Sequence, residues 1–122
     1  TTRYPWGKDW KPGLANAIGT AGADHFSGPS PVGSFPPNAW GVYDMIGNAR
    51  EWVEDAYHSS YKDAPSDGRP WNQVSDEAGE PSRVLRGGSY ANFPPKQRTS
   101  RRSHKSPDGW SKTTGFRCAA DR

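Results

Sequence analysis

Pro5-Trp6-Gly7, Lys11-Pro12-Gly13 and Phe35-Pro36-Pro37-Asn38 interrupt the first 39 residues so often that no hydrophobic period there outlasts a few positions. The same punctuation runs on, with 14 glycines and 12 prolines in 122 residues, so long regular helices are not expected. The segment is nevertheless read as ordered loop. Tyr4, Trp6, Trp10, Phe26, Phe35 and Trp40 would be costly to leave in water, and disordered segments are poor in such rings. Only 31% of the residues are hydrophobic, so aliphatic burial alone cannot hold the fold. Aromatic rings, six of them tryptophan, each bury a large area at few rotatable bonds and are expected to pin the turns of one small domain.

The formal net charge is only +3, and the acids are interspersed among the bases, so nucleic-acid binding is not expected. A lone cysteine, Cys118, rules out an internal disulfide and an all-cysteine metal site. No stretch reaches the apolar length of a membrane span, and no signal-peptide pattern is visible, which leaves the compartment open.

Residues 40–57 are the densest block. Trp40, Val42, Tyr43, Met45 and Ile46 lead into Gly47-Asn48-Ala49-Arg50-Glu51-Trp52-Val53-Glu54-Asp55, read as a tight turn and then a short strand; a single helical turn near Tyr43 to Ile46 is equally compatible. Residues 58–82 are polar and turn-rich, with reversals at Asp67-Gly68 and Ala78-Gly79, and read as a surface excursion. Arg83-Val84-Leu85-Arg86-Gly87-Gly88-Ser89-Tyr90 reads as a strand ending at a double glycine. Thr114-Gly115-Phe116-Arg117-Cys118-Ala119-Ala120 reads as a closing strand, with Phe116 and Cys118 buried in it. The irregular basic segment 91–114 between them is long for a connection in a compact domain, and such connections are usually functional.

Five motifs in order carry a family resemblance: Arg3-Tyr4-Pro5-Trp6-Gly7, Pro31-Val32-Gly33-Ser34-Phe35-Pro36-Pro37-Asn38, Gly41-Val42-Tyr43-Asp44-Met45-Ile46-Gly47-Asn48-Ala49-Arg50-Glu51-Trp52, Arg83-Val84-Leu85-Arg86-Gly87-Gly88-Ser89 and Gly115-Phe116-Arg117. Together they resemble the formylglycine-generating-enzyme, or sulfatase-modifying-factor, domain. The resemblance implies an α+β, C-type-lectin-like fold, loop-rich and with little regular secondary structure. It also implies a missing piece, since the family domain normally begins earlier. Residues 1–122 would be its C-terminal portion, completed by an N-terminal segment of the same protein or by a complementing chain. An extracellular, periplasmic or cell-surface location is favoured on the same ground.

Structural calcium is what the resemblance implies as cofactor. One family site maps onto Asn16, the Ala17 carbonyl, Asp24 and the Phe26 carbonyl, with His25 in the variable slot. The second, weighted more heavily, maps onto Asp44, the Gly47 and Ala49 carbonyls and Glu51. Hard cations favour such sets of oxygens on sharply turning loops, yet isolated acids beside a Gly-Asn turn also commonly cap the turn and meet arginines.

Copper is not expected. Active members of the family hold copper(I) between two cysteines after the Gly-Gly-Ser motif, and here those positions fall at about Asn92 and Gln97, both amides; soft thiolates are what select copper(I). An iron-dependent sibling branch uses three histidines, but His25, His58 and His104 are scattered along the chain. Nucleophile-elbow, phosphate-loop and zinc-helix motifs are absent, and the acid pairs Glu54-Asp55 and Asp76-Glu77 read as solvated.

What remains is the 91–114 segment. With Tyr90, Asn92, Phe93, Arg101, His104, Lys105, Trp110 and Lys112 in and beside it, it has the aromatic, basic and small polar mixture of a recognition surface; an inert basic loop is the alternative. One subset of the family presents this same segment as a ligand-binding surface diversified by retroelements. The function implied is a non-catalytic, calcium-stabilised module binding an unknown protein or surface ligand. The alternative is an oxidoreductase of the same family whose metal ligands lie outside this chain.

Overall fold

Strands of two to seven residues are what so punctuated a sequence can sustain. The computed structural model describes residues 2–19, 25–74 and 81–120. Four strands form one sheet: β1 (Arg50–Ala56), β2 (Arg83–Arg86), β3 (Ser103–Lys105) and β4 (Thr114–Gly115), in the order β3-β2-β1-β4. β2 is antiparallel to both β1 and β3, while β4 joins the outer edge of β1 in parallel, pairing Arg50 with Thr114 and Glu51 with Gly115. The β1–β2 register shifts between Trp52 and Ala56, and an irregularity of this kind bends a strand and adds local twist.

The turn before β1 and the double glycine after β2 stand where the sequence puts them. Asp44 and Asn48 have positive φ, as do Gly47, Gly87 and Gly88, so the chain reverses tightly at both places. The hydrogen bond from Gly47 N to Gly87 O, 2.9 Å, then ties the two turns together. No helical turn forms near Tyr43 to Ile46. Among the described residues the only helical element is a 3-10 turn, Pro94–Gln97, so the helical component of the expected α+β class is not present there. Prolines at its start fix φ but remove N–H donors, which suits one short turn and not a longer helix. No helix among the described residues is long and apolar enough to cross a membrane.

The core is thin and half polar. Tyr4, Ala15, Ala17, Phe35, Ile46, Ala56, Val84 and Leu85 are its buried hydrophobic residues, beside buried Asn16, Ser30, Asn48, Ser89 and Gln97. Asn48 acts as a hub: its Oδ1 accepts from Ser30 N at 2.9 Å and from Asn16 Nδ2 at 3.4 Å, and its own N–H donates to Asn16 O at 3.1 Å. Side-chain amides thus satisfy loop backbone that regular strands would otherwise satisfy. Aromatic pinning is plain at the start of the chain. Tyr4 stacks on Trp6 at 5.6 Å and meets Trp10 edge-on at 5.3 Å, and Thr99 Oγ1 donates to Thr2 O at 2.7 Å, fastening this end to the segment after the 3-10 turn.

Three expectations are corrected. The closing strand ends at Gly115, and Phe116 is 77% exposed, not core. Cys118 is likewise exposed. The cause is Arg117, whose guanidinium reaches Glu51 and the carbonyls of Tyr43 and Asp44 and draws the chain off the sheet edge. Trp52 is half-buried. Finally, 91–114 is not a structureless connection: it contains the 3-10 turn, the fully buried Gln97 and strand β3. Within 58–82, Trp71 folds back on β1, its carbonyl accepting from Ala56 N at 2.9 Å and its ring stacking on His58, while residues 75–80 lie outside the described residues.

Candidate functional site

The double glycine delivers Ser89 into the interior, and the chain then turns so that Asn92 N donates to Ser89 O at 2.9 Å. Asn92 Oδ1 accepts from both Ser89 N and Ser89 Oγ, each at 3.1 Å. Five residues on, the 3-10 turn places Gln97 underneath. It is fully buried, and its Nε2 donates to Ser89 O at 3.0 Å and to Asn92 O at 2.9 Å. The two positions read as the family's copper cysteines are therefore brought together, as a locked pair of amides. Neither offers a soft donor. Gly88 permits the approach, since any Cβ there would lie 2.7 Å from Gln97 Cγ.

Arg50, on β1, joins this network through Nε, which donates to Asn92 Oδ1 at 3.3 Å. Asn92 and Arg101 come to one recess with Arg50, Lys96 and Ser103. The other residues expected to contact a ligand do not share it. Ser103 faces the recess, so strand alternation turns His104 to the opposite face, where its ring stacks on Tyr57 with centroids 3.9 Å apart. Tyr90 and Lys105 are half-buried, Lys112 is exposed, and Phe93 and Trp110 are 60% and 85% exposed. Sequence reasoning missed Arg50, Lys96 and the structural part played by Gln97; only the family resemblance, which sets Gln97 at a cysteine position, pointed to the last.

The two oxygen clusters differ. At the first, Asn16 is 1% exposed, its Nδ2 donates to Gly28 O at 2.9 Å, and its Oδ1 is buried with no hydrogen-bond partner among the described residues. Ala17 is buried beside it and Phe26 is partly exposed, while Asp24 lies outside the described residues. An orphaned amide oxygen on a tight loop fits a hard cation. At the second cluster, Asp44 Oδ2 accepts from Gly33 N at 2.8 Å, and both carboxylate oxygens of Glu51 are taken by Arg117, with Nε at 2.7 Å. This hydrogen bond, opposed by burial and reinforced by the charges of Glu51 and Asp44, holds the Arg117 guanidinium above the usual arginine range. As arranged, Arg117 supplies that cluster with a positive charge of its own. Gly47 and Ala49 lie on the same turn, but among the described residues no group of three or more His, Cys, Asp and Glu side chains converges to hold a metal.

The family model described as sulfatase-modifying factor enzyme 1-like domain matches residues 1–122. The formylglycine-generating enzyme of Bos taurus is 35% identical over 97% of this chain, but the chain spans only 33% of that protein's length. Among solved structures, PvdO from Pseudomonas aeruginosa superposes with a TM-score of 0.77 at 38% identity, over 93% of this chain and 41% of its own. Treponema denticola variable protein 1 superposes with a TM-score of 0.63 at 29% identity, over 85% of this chain and 34% of its own.

Proposed function

The chain belongs to the sulfatase-modifying factor enzyme 1-like family, and on that premise we propose that it is a non-catalytic, calcium-stabilised binding module that contacts a protein or surface ligand through residues 91–114. The observation that carries the proposal is the amide lock of Asn92 and Gln97 at the positions read as copper ligands. A pair of amides, Gln97 donating to backbone carbonyls and Asn92 accepting through Oδ1, has no thiolate to give a copper ion and no redox chemistry of its own. The similarity to a variable protein supports a contact role for the segment that follows. Exposed Phe93 and Trp110 supply apolar area, and Arg101 supplies a planar donor, the residue types that most often anchor an interface.

Calcium, in this proposal, is held by Asn16, the Ala17 carbonyl, Asp24 and the Phe26 carbonyl. When bound it would supply charge to satisfy the orphaned Asn16 Oδ1 and so brace the loops that Asn48 gathers. The Arg117–Glu51 pair makes the second cluster the weaker candidate. Calcium titrated into chelator-treated protein is expected to raise Tm by mass action, at unit stoichiometry, and Asp24→Asn is expected to abolish the rise. An unchanged Tm with calcium would remove the metal from the proposal. Copper loading of the same protein is expected to give no oxygen uptake with a cysteine-containing peptide; uptake at unit copper would overturn the non-catalytic assignment.

A second reading, an oxidoreductase whose metal ligands lie elsewhere, is favoured by one observation: about two thirds of the bovine relative's length has no counterpart in this chain, which covers 33% of it. Iron or copper bound stoichiometrically by the protein with that remainder attached, and not by this chain, would select it.

A further inference from the structure

Between the sheet and the 3-10 turn lies an open recess of about 250 Å³, walled by Arg50, Asn92, Lys96, Arg101 and Ser103 over Leu85. Three of these side chains are cationic, and among the described residues no carboxylate lines the recess. Three arginines elsewhere have charge or ring partners: Arg117 pairs with Glu51, Arg69 with Asp67, and Arg102 lies 4.0 Å from the centre of the Tyr61 ring. Among the described residues, Arg50, Lys96 and Arg101 have no acidic partner. Like charges gathered at one recess repel, so their company is unfavourable until an anion joins them.

The arrangement is also held in place. Arg50 sits on β1, and its Nε is fixed by Asn92 Oδ1, which is itself fixed by Ser89 N and Oγ. That leaves the two Nη groups of a positioned guanidinium with no protein acceptor among the described residues. A planar fork with free Nη donors matches the paired oxygens of an oxyanion, and a nearby ammonium adds charge without demanding geometry. The Ser103 hydroxyl adds a neutral donor.

We propose that this recess binds a dianionic phosphate monoester with a small organic group. Three cations favour a charge of about −2 over the single charge of a carboxylate or sulfate ester. The volume admits a small molecule or one modified side chain, not a polymer. The inference rests on the reading of 91–114 as a contact surface and names the chemistry of what it contacts.

The test is calorimetric titration of the full chain with phenyl phosphate, phenyl sulfate and benzoate, which share one ring and differ in the anion. Phenyl phosphate is expected to bind at unit stoichiometry and roughly threefold or more tighter than the other two, because each extra unit of charge strengthens a partly screened contact. Its affinity is expected to rise from pH 5 to 7.5, as its second proton leaves near pH 6, while that of phenyl sulfate stays flat. Arg101→Ala and Lys96→Ala are each expected to weaken phenyl phosphate roughly three- to tenfold, and Arg50→Lys to weaken it although the charge is kept. Equal binding of benzoate, no binding to folded protein, or binding unchanged in both alanine variants would overturn the proposal. If phosphate fails to bind while Phe93→Ala and Trp110→Ala remain folded, only the ligand class is lost. If those two variants unfold the protein, the contact-surface reading is lost as well.

Discussion

Gly47→Ala tests how the two halves of the core are joined. Gly47 has φ +79°, and a Cβ built on it would press against the Asn16 carbonyl oxygen, 3.1 Å from Asn16 C and 3.0 Å from Gln97 Oε1. A left-handed conformation costs a residue with a Cβ roughly 1–2 kcal/mol, and forcing an extra carbon into a filled site costs about 1–3 kcal/mol more. The expected loss is therefore about 2–5 kcal/mol, large beside the roughly 5–15 kcal/mol of an ordinary domain. Gly41 supplies the control, because it has φ +75° and nothing within 4 Å of its notional Cβ. Gly41→Ala should lose only the backbone share, about 1–2 kcal/mol. Urea denaturation of both variants, compared at equal m-values, isolates the close contact as the difference. If the two variants lose the same stability within about 0.5 kcal/mol, the junction of Asn16, Gly47 and Gln97 is not tightly packed and the argument is refuted.

Other outcomes follow from the same geometry. Cys118, exposed on the chain beyond β4, is expected to react with a thiol reagent in the native protein about as fast as in the unfolded one; protection would refute its placement. Arg117→Ala should cost about 1–2 kcal/mol, discounted for partial exposure, because it strips Glu51 of its partner and frees two carbonyls; an unchanged urea midpoint would show the clasp to be idle. Phe93→Ala, Trp110→Ala and Arg101→Ala should each change Tm little, whereas half-buried Trp52→Ala should cost about 2–3 kcal/mol, below the usual range for a fully buried ring. Equal damage from both groups would make the loop scaffold.

The turn at Gly47-Asn48, β1 and β2 could be read from the chain because they are local. A Gly-Asn reversal and a run such as Val84-Leu85 declare themselves within a few residues. β3 could not, since Ser103, His104 and Lys105 have no strand-like pattern and become a strand only because β2 offers an edge to pair with. Gln97 escaped for a related reason: its burial depends on carbonyls far along the turn and not on any apolar neighbour. Phe116 and Cys118 misled because Gly-Phe-Arg-Cys looks like a strand until Arg117 finds Glu51, a contact across 66 positions of sequence. Of the expected sites, Asn92 and Gln97 were paired only by the family resemblance, as the two positions where active members carry cysteines. The cations that join them could not be read from the chain, because Arg50 arrives from another strand.

Gln97 fastens the base of its segment by gripping carbonyl oxygens, a group that every residue carries. The grip is indifferent to which side chains stand at the gripped positions. Beyond it, β3 is secured to β2 by backbone pairing, which is indifferent in the same way. What lies past β3, with exposed Trp110 in it, is held at its far end by Thr113 O, which accepts from Arg50 N, and by the pairing of β4 with β1. Exchanging the side chains of Ser103, His104 or Lys105 therefore leaves the backbone pairing that holds β3 in place.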